Sequence, residues 1–176
     1  MRRVSVIGAS GSGKTTVGAE IARRLGVEFV ELDGLHHGPN WAEPAPEAFR
    51  ALIAPIVARE GWVIDGMYHE KLGTMVPDAA DTIVWMDLPL PFTLTRLVCR
   101  TMGRMVRREE LWNGNRESFG AAFGGRESLV GWGIRTHRRY RKTMPGRLAR
   151  EEWAGKRTVR LRSQRDIDRF LHSLPR

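Results

Sequence analysis

Gly8-Ala9-Ser10-Gly11-Ser12-Gly13-Lys14-Thr15 gathers glycines, a lysine and a hydroxyl at the spacing G-x-x-x-x-G-K-[ST], whose chemistry is phosphate binding. Gly8, Gly11 and Gly13 permit a turn tight enough for successive N–H groups, those of Ser10, Ser12 and Thr16 included, to face one anion. Lys14 can reach terminal phosphates, and the Thr15 hydroxyl can ligate Mg²⁺. The flanks suit this work. Val4–Ile7 reads as a short buried strand, and residues 16–25 read as a helix with Val17, Ile21 and Leu25 on one face. The loop therefore runs from a strand to a helix N-terminus, whose dipole attracts anions. Binding of a nucleoside triphosphate with Mg²⁺ follows from this arrangement.

A phosphate loop with Mg²⁺ calls for a carboxylate at a neighbouring strand end. Asp65, after Trp62-Val63-Ile64, and Asp87, after Val84-Trp85-Met86, both qualify. Asp65 is preferred because Gly66 leaves room for phosphate or substrate, and it would hold Mg²⁺ partly through water. Asp33 ends the second strand-like run, 28–32, where its carboxylate could bind a ligand hydroxyl or take its proton, as an acid there does in small-molecule kinases of the class this chain resembles. Its alternative is a turn-forming Asp before Gly34. His36 and His37 could contact the acceptor or Zn²⁺, but no cysteine or third ligand at metal spacing accompanies them. Trp41 and Tyr68 could stack on a base or pack in the core. Arg50, on the helix lining this region, is the candidate for an acceptor phosphate. No N-K-x-D follows, which argues against a guanine-selective switch.

Arginines dominate the second half. Residues 1–95 carry 8 Lys+Arg against 12 Asp+Glu, net −4, and residues 96–176 carry 21 against 8, net +13. Arg96, Arg100 and Arg104 recur at i, i+4, i+8 and share one helix face. Arg104, Arg107, Arg108, Arg116, Arg126, Arg135, Arg138 and Arg139 suit a lid that excludes water and neutralises a phosphoryl group in transfer. Of the whole set, Arg100, Arg104, Arg116 and Arg135 are the ones expected to reach, and the rest form a solvated face. The same charge would suit a nucleic-acid surface. Few aromatics interrupt it, however, so stacking on single strands is weakly signalled.

The elements that must position these groups alternate. Strand-like runs fall at 4–7, 28–32, 62–64, 82–86 and 158–161, with helical patterns at 14–25, 46–60, 90–108, 127–143 and 164–172. This order predicts a parallel sheet covered on both faces. Residues 33–45 and 109–125 read as loops from their Gly, Pro and Asn content. Ser163 with Asp166 three residues on marks a helix start. The 176 residues, 41% hydrophobic and 28% charged, suit one domain, residues 1–176. No apolar run approaches a membrane span, so no membrane partner is expected. The chain enters its first strand almost at once, leaving no room for a leader. With Cys99 its only cysteine, the expectation is a cytoplasmic protein without an internal disulfide.

The segment Asp87-Leu88-Pro89 through Arg96 to Arg100 resembles the adenylate-kinase pattern D-x-P followed by two spaced arginines. Val63-Ile64-Asp65-Gly66 is likewise similar to the kinase strand ending in Asp-Gly. A closer resemblance, over most of the chain, is to adenylate-kinase-like small kinases described as topology modulation (flagellar-regulator) proteins. It rests on Glu31-Leu32-Asp33-Gly34-Leu35-His36, Val63 to Tyr68, Glu110 to Glu117 and Arg135 to Arg139. Met67 departs from it, standing where an Asn is usual. The resemblance implies ATP as donor, Arg96 as an adenine platform and Arg100 as a phosphate clamp. It also implies an adenine ring against the Arg162–Ser163 loop. The expected fold is an α/β P-loop NTPase, nucleoside-monophosphate-kinase-like, a three-layer sandwich with a five-stranded parallel sheet of order 2-3-1-4-5. An acceptor insert is expected near 33–60 and a lid near 103–127. The expected function is Mg²⁺-dependent phosphoryl transfer from ATP to a small acceptor, first a nucleotide or nucleoside bound by Asp33, His36, Arg50, Asp65, Gly66 and Tyr68. A hydroxylated metabolite, as for gluconate and shikimate kinases, is the near alternative, and an ATP-switched nucleic-acid-binding regulator is the distant one.

Overall fold

The structure, a computed structural model, describes residues 1–124 and 128–175. Arg126, one of the candidate lid arginines, lies outside them. The order of elements is β1 (Arg3–Gly8), α1 (Lys14–Leu25), β2 (Glu28–Glu31), α2 (Leu32–His36), α3 (Pro46–Val57) and β3 (Trp62–Asp65). There follow α4 (His69–Leu72), α5 (Met75–Ala79), β4 (Thr82–Met86), α6 (Leu90–Arg107), α7 (Phe119–Phe123), α8 (Leu129–Leu148), β5 (Arg157–Leu161) and α9 (Gln164–His172). The five strands form one all-parallel sheet in the order β2-β3-β1-β4-β5.

Period-2 alternation decides which face each strand residue covers. Val4, Val6, Val63, Val84 and Met86 pack with Val17 and Ile21 of α1 and Ile167 and Phe170 of α9. On the other face, Trp62 and Ile64 meet Phe49 and Ile53 of α3, while Ile7, Ile83 and Trp85 meet Met144 of α8 and Trp153. Both faces are buried, which is why the strands read as near-continuous apolar runs. Among the described residues no helix is long and apolar enough to cross a membrane.

Several boundaries depart from expectation. Residues 33–45 are not simply a loop, because the chain turns helical at Leu32 and Asp33 lies in the first turn of α2. α8 runs on to Leu148, past the expected end at 143, and carries Pro145 inside it. Proline removes one backbone donor, a cost that the packing of Met144 and Leu148 onto the sheet outweighs. The stretch 109–125 contains a 3-10 turn at Trp112–Gly114 and the short α7.

Candidate functional site

Strand register builds the site. Asp65 closes β3 opposite Val6 of β1 and opposite Glu31 of β2, so two carboxylates stand side by side beyond the sheet's carboxyl edge. The phosphate loop leaves β1 at that edge, where open α/β sheets take their ligands. Its glycines are steric requirements. A Cβ on Gly8 would meet Met86 and Ser12, and one on Gly11, at φ +80°, would collide with the Thr93 carbonyl. Gly13, at φ +86°, adopts the left-handed region that opens α1. Lys14 is the first residue of α1, and its Nζ hydrogen-bonds the Ala9 carbonyl at 3.4 Å and stands 3.9 Å from Asp65 Oδ1. The Thr15 hydroxyl is 2.7 Å from Asp65 Oδ2 and 3.2 Å from Glu31 Oε1.

These groups fit a nucleoside triphosphate with Mg²⁺. The cradle has no space for side chains, and Asp65 Oδ1 is buried without a hydrogen-bond partner beside a hydroxyl and a lysine. Burial raises the Asp65 pKa, opposed by the Lys14 charge and the Thr15 hydrogen bond. Asp87 is placed differently. It is buried on the far side of β4, held by Arg160 at 2.6 Å and Arg141 at 3.0 Å, and Arg160 stacks on Trp85.

A cavity of about 840 Å³ opens beside the loop, lined by Gly8, Ser10, Lys14, Asp33, His36, Gly66, Tyr68, Arg100, Arg104 and Arg116 among others. A smaller one of about 400 Å³ adjoins it and includes Thr15, Thr16 and Glu31. Asp33 accepts a 2.7 Å hydrogen bond from the Tyr68 hydroxyl. Burial, and then the Asp33 charge, push the Tyr68 phenol far up, so it remains a donor. Tyr68 itself sits at φ +41°, a strained backbone for a bulky residue at the edge of the cavity. The Arg100 guanidinium lines both cavities, and desolvation by their walls, followed by Arg104, lowers its pKa.

Other sequence candidates are placed as follows. Arg104 lies 3.4 Å from Glu117 and 3.7 Å from Glu109, tying α6 to the following loop. Arg116 pairs with Glu110 at 2.6 Å and faces the large cavity. Arg96 stacks on Phe92 at 4.5 Å, with its guanidinium over Gly13. Arg135 is exposed on α8 and lines neither cavity. Arg50 does not line the acceptor region as expected. It follows Phe49, whose side of α3 faces the core, so Arg50 points to solvent. Arg162 and Ser163 lie in the exposed start of α9, where Ser163 Oγ accepts from the Asp166 N–H at 3.2 Å, away from both cavities.

Other residues were missed by sequence reasoning. Arg139, Tyr140, Thr143 and Arg147 line the large cavity from one face of α8. The i, i+4, i+8 spacing of Arg139, Thr143 and Arg147 is legible in the sequence, but the expected helix end at 143 cuts Arg147 off and leaves Arg139 with the solvated face. Trp112, within the segment Glu110 to Glu117 on which the resemblance rests, has no role assigned from sequence. It closes the site by donating from Nε1 to Glu31 at 3.2 Å and packing against Gly34, where a Cβ would come within 2.9 Å of its ring. Asn113 and Asn115 donate to the carbonyls of His37 and Gly38, at 2.6 and 2.9 Å. The two stretches read as loops thus grip one another, a contact between residues about 75 apart that no local pattern signals.

Comparison with known proteins is consistent with this geometry. The family model described as shikimate kinase matches residues 10–54, from the phosphate loop through most of α3. A shikimate kinase of Sulfurihydrogenibium sp. is 31% identical over 111 residues, 55% of this chain and 67% of that protein. Shikimate kinase 2 of Yersinia enterocolitica is 33% identical over 82 residues, 46% of this chain and 41% of that one. With several curated relatives the match thus spans less than half of their length. The shikimate kinase of Acinetobacter baumannii, solved in complex with shikimate, shares the fold at a TM-score of 0.57 and 14% identity, over 98% of this chain and 89% of that one. These matches do not single out the adenylate-kinase-like or topology modulation proteins that the motifs resemble. The chain belongs to the shikimate kinase family of P-loop kinases.

Proposed function

We propose that this protein transfers the γ-phosphoryl group of ATP, with Mg²⁺, to a hydroxyl of a small hydroxylated anionic metabolite, of which shikimate is the type. The observation that carries this reading is the Asp33–Tyr68 pair, facing the same cavity as Lys14 and Arg100. The backbone N–H groups of residues 10–16 would hold the phosphates, and Thr15 with Asp65 would hold Mg²⁺, which supplies charge neutralisation at the transferring group. Tyr68 fixes Asp33 through one carboxylate oxygen and leaves the other for the acceptor hydroxyl. As the new O–P bond forms and the bond to ADP breaks, Asp33 takes the hydroxyl proton. Lys14, Arg100 and Arg116 would balance charge on the phosphoryl oxygens, with Arg104 holding the loop from which Arg116 projects. Arg147, beside the ion-paired Arg139 and Lys71, gives the far wall a cation suited to an acceptor carboxylate or phosphate.

A second reading, a nucleoside or nucleotide acceptor, is favoured by the rings of His37, Trp41, Tyr68 and Trp112 around the cavity. Under either reading residues 1–176 act as one kinase domain, 33–60 forms the acceptor insert and 103–127 the lid. Arg96 and the Arg162–Ser163 loop would flank the adenine, and the chain would work in the cytoplasm, where ATP is supplied. The test is ADP release with Mg-ATP across shikimate, gluconate, nucleosides and nucleoside monophosphates. Stimulation by a hydroxy acid, lost in Asp33→Asn, is expected. Turnover only with a nucleoside-type acceptor would move the assignment to the second reading. Salt-sensitive DNA binding without acceptor-dependent ADP release would replace both with a regulator.

A further inference from the structure

We propose that His36, His37 and Glu43 form a binding site for a transition-metal dication such as Zn²⁺ in the wall of the acceptor cavity. One ligand atom from each residue lies within 4.8 Å of the other two. Adjacent residues in a continuous helix point about 100° apart, but α2 ends at His36 and His37 is extended, at φ −97° and ψ 95°. The break brings the two imidazoles edge to face, 4.7 Å between centroids. Glu43 returns to them because the chain closes on itself, the Gly38 N–H donating to the Ala42 carbonyl at 2.7 Å.

Both ring nitrogens of His36 and Nδ1 of His37 are buried without a hydrogen-bond partner. The His36 side chain is 4% exposed, and Glu43 Oε2 lies 3.6 Å from its Nε2, beyond hydrogen-bond reach. Buried nitrogens left in this state carry an unmet desolvation cost, and a metal ion would remove it. Two imidazoles and a carboxylate suit Zn²⁺, Co²⁺ or Ni²⁺ rather than Mg²⁺ or Ca²⁺, and three ligands leave a position open toward the cavity. Ligands about 2.1 Å from a tetrahedral ion are about 3.4 Å apart, so the widest gap must close by about 1.4 Å. Lys71, 2.8 Å from Glu43 Oε2, already places a cation beside the site, and it can stay anchored on the Pro44 carbonyl at 3.0 Å.

The test is Co²⁺ titration of the untagged, chelator-stripped full chain by visible absorbance, with Zn²⁺ equilibrium dialysis in parallel. One equivalent giving four- or five-coordinate ligand-field bands is expected. His37→Ala and Glu43→Gln should weaken binding by about 10- to 100-fold or more. Lys71→Gln, which removes the competing cation, should tighten it. Asp65→Asn, which alters the phosphate-loop acid, should leave the bands in place. A folded wild-type chain without bands would overturn the site. So would bands that survive both ligand substitutions, or bands lost with Asp65→Asn. If a ligand variant fails to fold, as judged by circular dichroism, the wild-type spectrum and the direction of the Lys71→Gln change still decide. None of these readouts depends on the identity of the acceptor.

Discussion

Asp65 and Asp87 are both strand-end aspartates with almost no exposure, yet their surroundings differ in kind. Asp87 has two guanidinium partners, whereas Asp65 faces a hydroxyl and a lysine 3.9 Å away. Because burial raises its pKa, the folded state holds the Asp65 proton more tightly than the unfolded chain does. The stabilisation this gives is present in acid and is lost as pH rises through the folded pKa. Asp65→Asn should therefore raise the melting temperature of the nucleotide-free protein at neutral pH, and the gain should fade toward pH 4. ATP turnover should fall by about 100-fold or more in the same variant. Asp87→Asn should do the reverse, costing about 1–3 kcal/mol of stability while leaving turnover within a few-fold. Melting curves against pH, with steady-state turnover, check both halves. A destabilised, active Asp65→Asn protein would exchange the two assignments.

At the scale of elements, the grip between α2 with its following loop and the segment 111–115 decides how the site closes. Gly34 is needed there because Trp112 approaches too closely for a methyl group. Gly34→Ala should push the indole outward, loosen the Asn113 and Asn115 hydrogen bonds, and let water reach the phosphoryl group. The expected result is a higher ratio of ATP hydrolysis to acceptor phosphorylation, with an acceptor KM raised by about 10-fold or more. Trp112 fluorescence can be followed against a Trp112→Phe control to report the displacement. An unchanged hydrolysis ratio would mean that this contact does not seal the cavity.

For the molecule as a whole, the +13 half of the chain is partly neutralised by acids of the other half, Glu70 taking Arg139 and Asp87 taking Arg141 and Arg160, while Glu117 and Glu109 pair with Arg104 inside it. Arg100 and Lys14 remain directed at the cavity, so binding of a nucleotide should be felt as global stability. Mg-ADP at 100 times its Kd should add about 2.7 kcal/mol, or roughly 5–10 °C in Tm for a chain of this size. Lys14→Ala should retain the fold and lose most of that shift, measurable by calorimetry. An equal shift in the variant would remove Lys14 from the phosphate site.

The sequence by itself determined the phosphate loop, the five strands and the parallel layering. Each rests on a local signal: glycines at turn positions, apolar runs buried on two sides, and 3.6-residue stripes. Helix bounds 14–25 and 164–172 match to the residue because Gly26 and Ser163 are strong local punctuation. What only the tertiary structure decided are meetings between distant segments. The register that sets Glu31 beside Asp65 and the Trp112–Gly34 contact depend on residues far apart in the chain. Such pairs leave no periodic trace, since their geometry is fixed by sheet order and by where helices stop. Pro145 and Arg50 show the same limit from the other side. A helix-breaking residue is outweighed by packing, and a cation of suitable chemistry is turned to solvent by the helix phase of its neighbour Phe49.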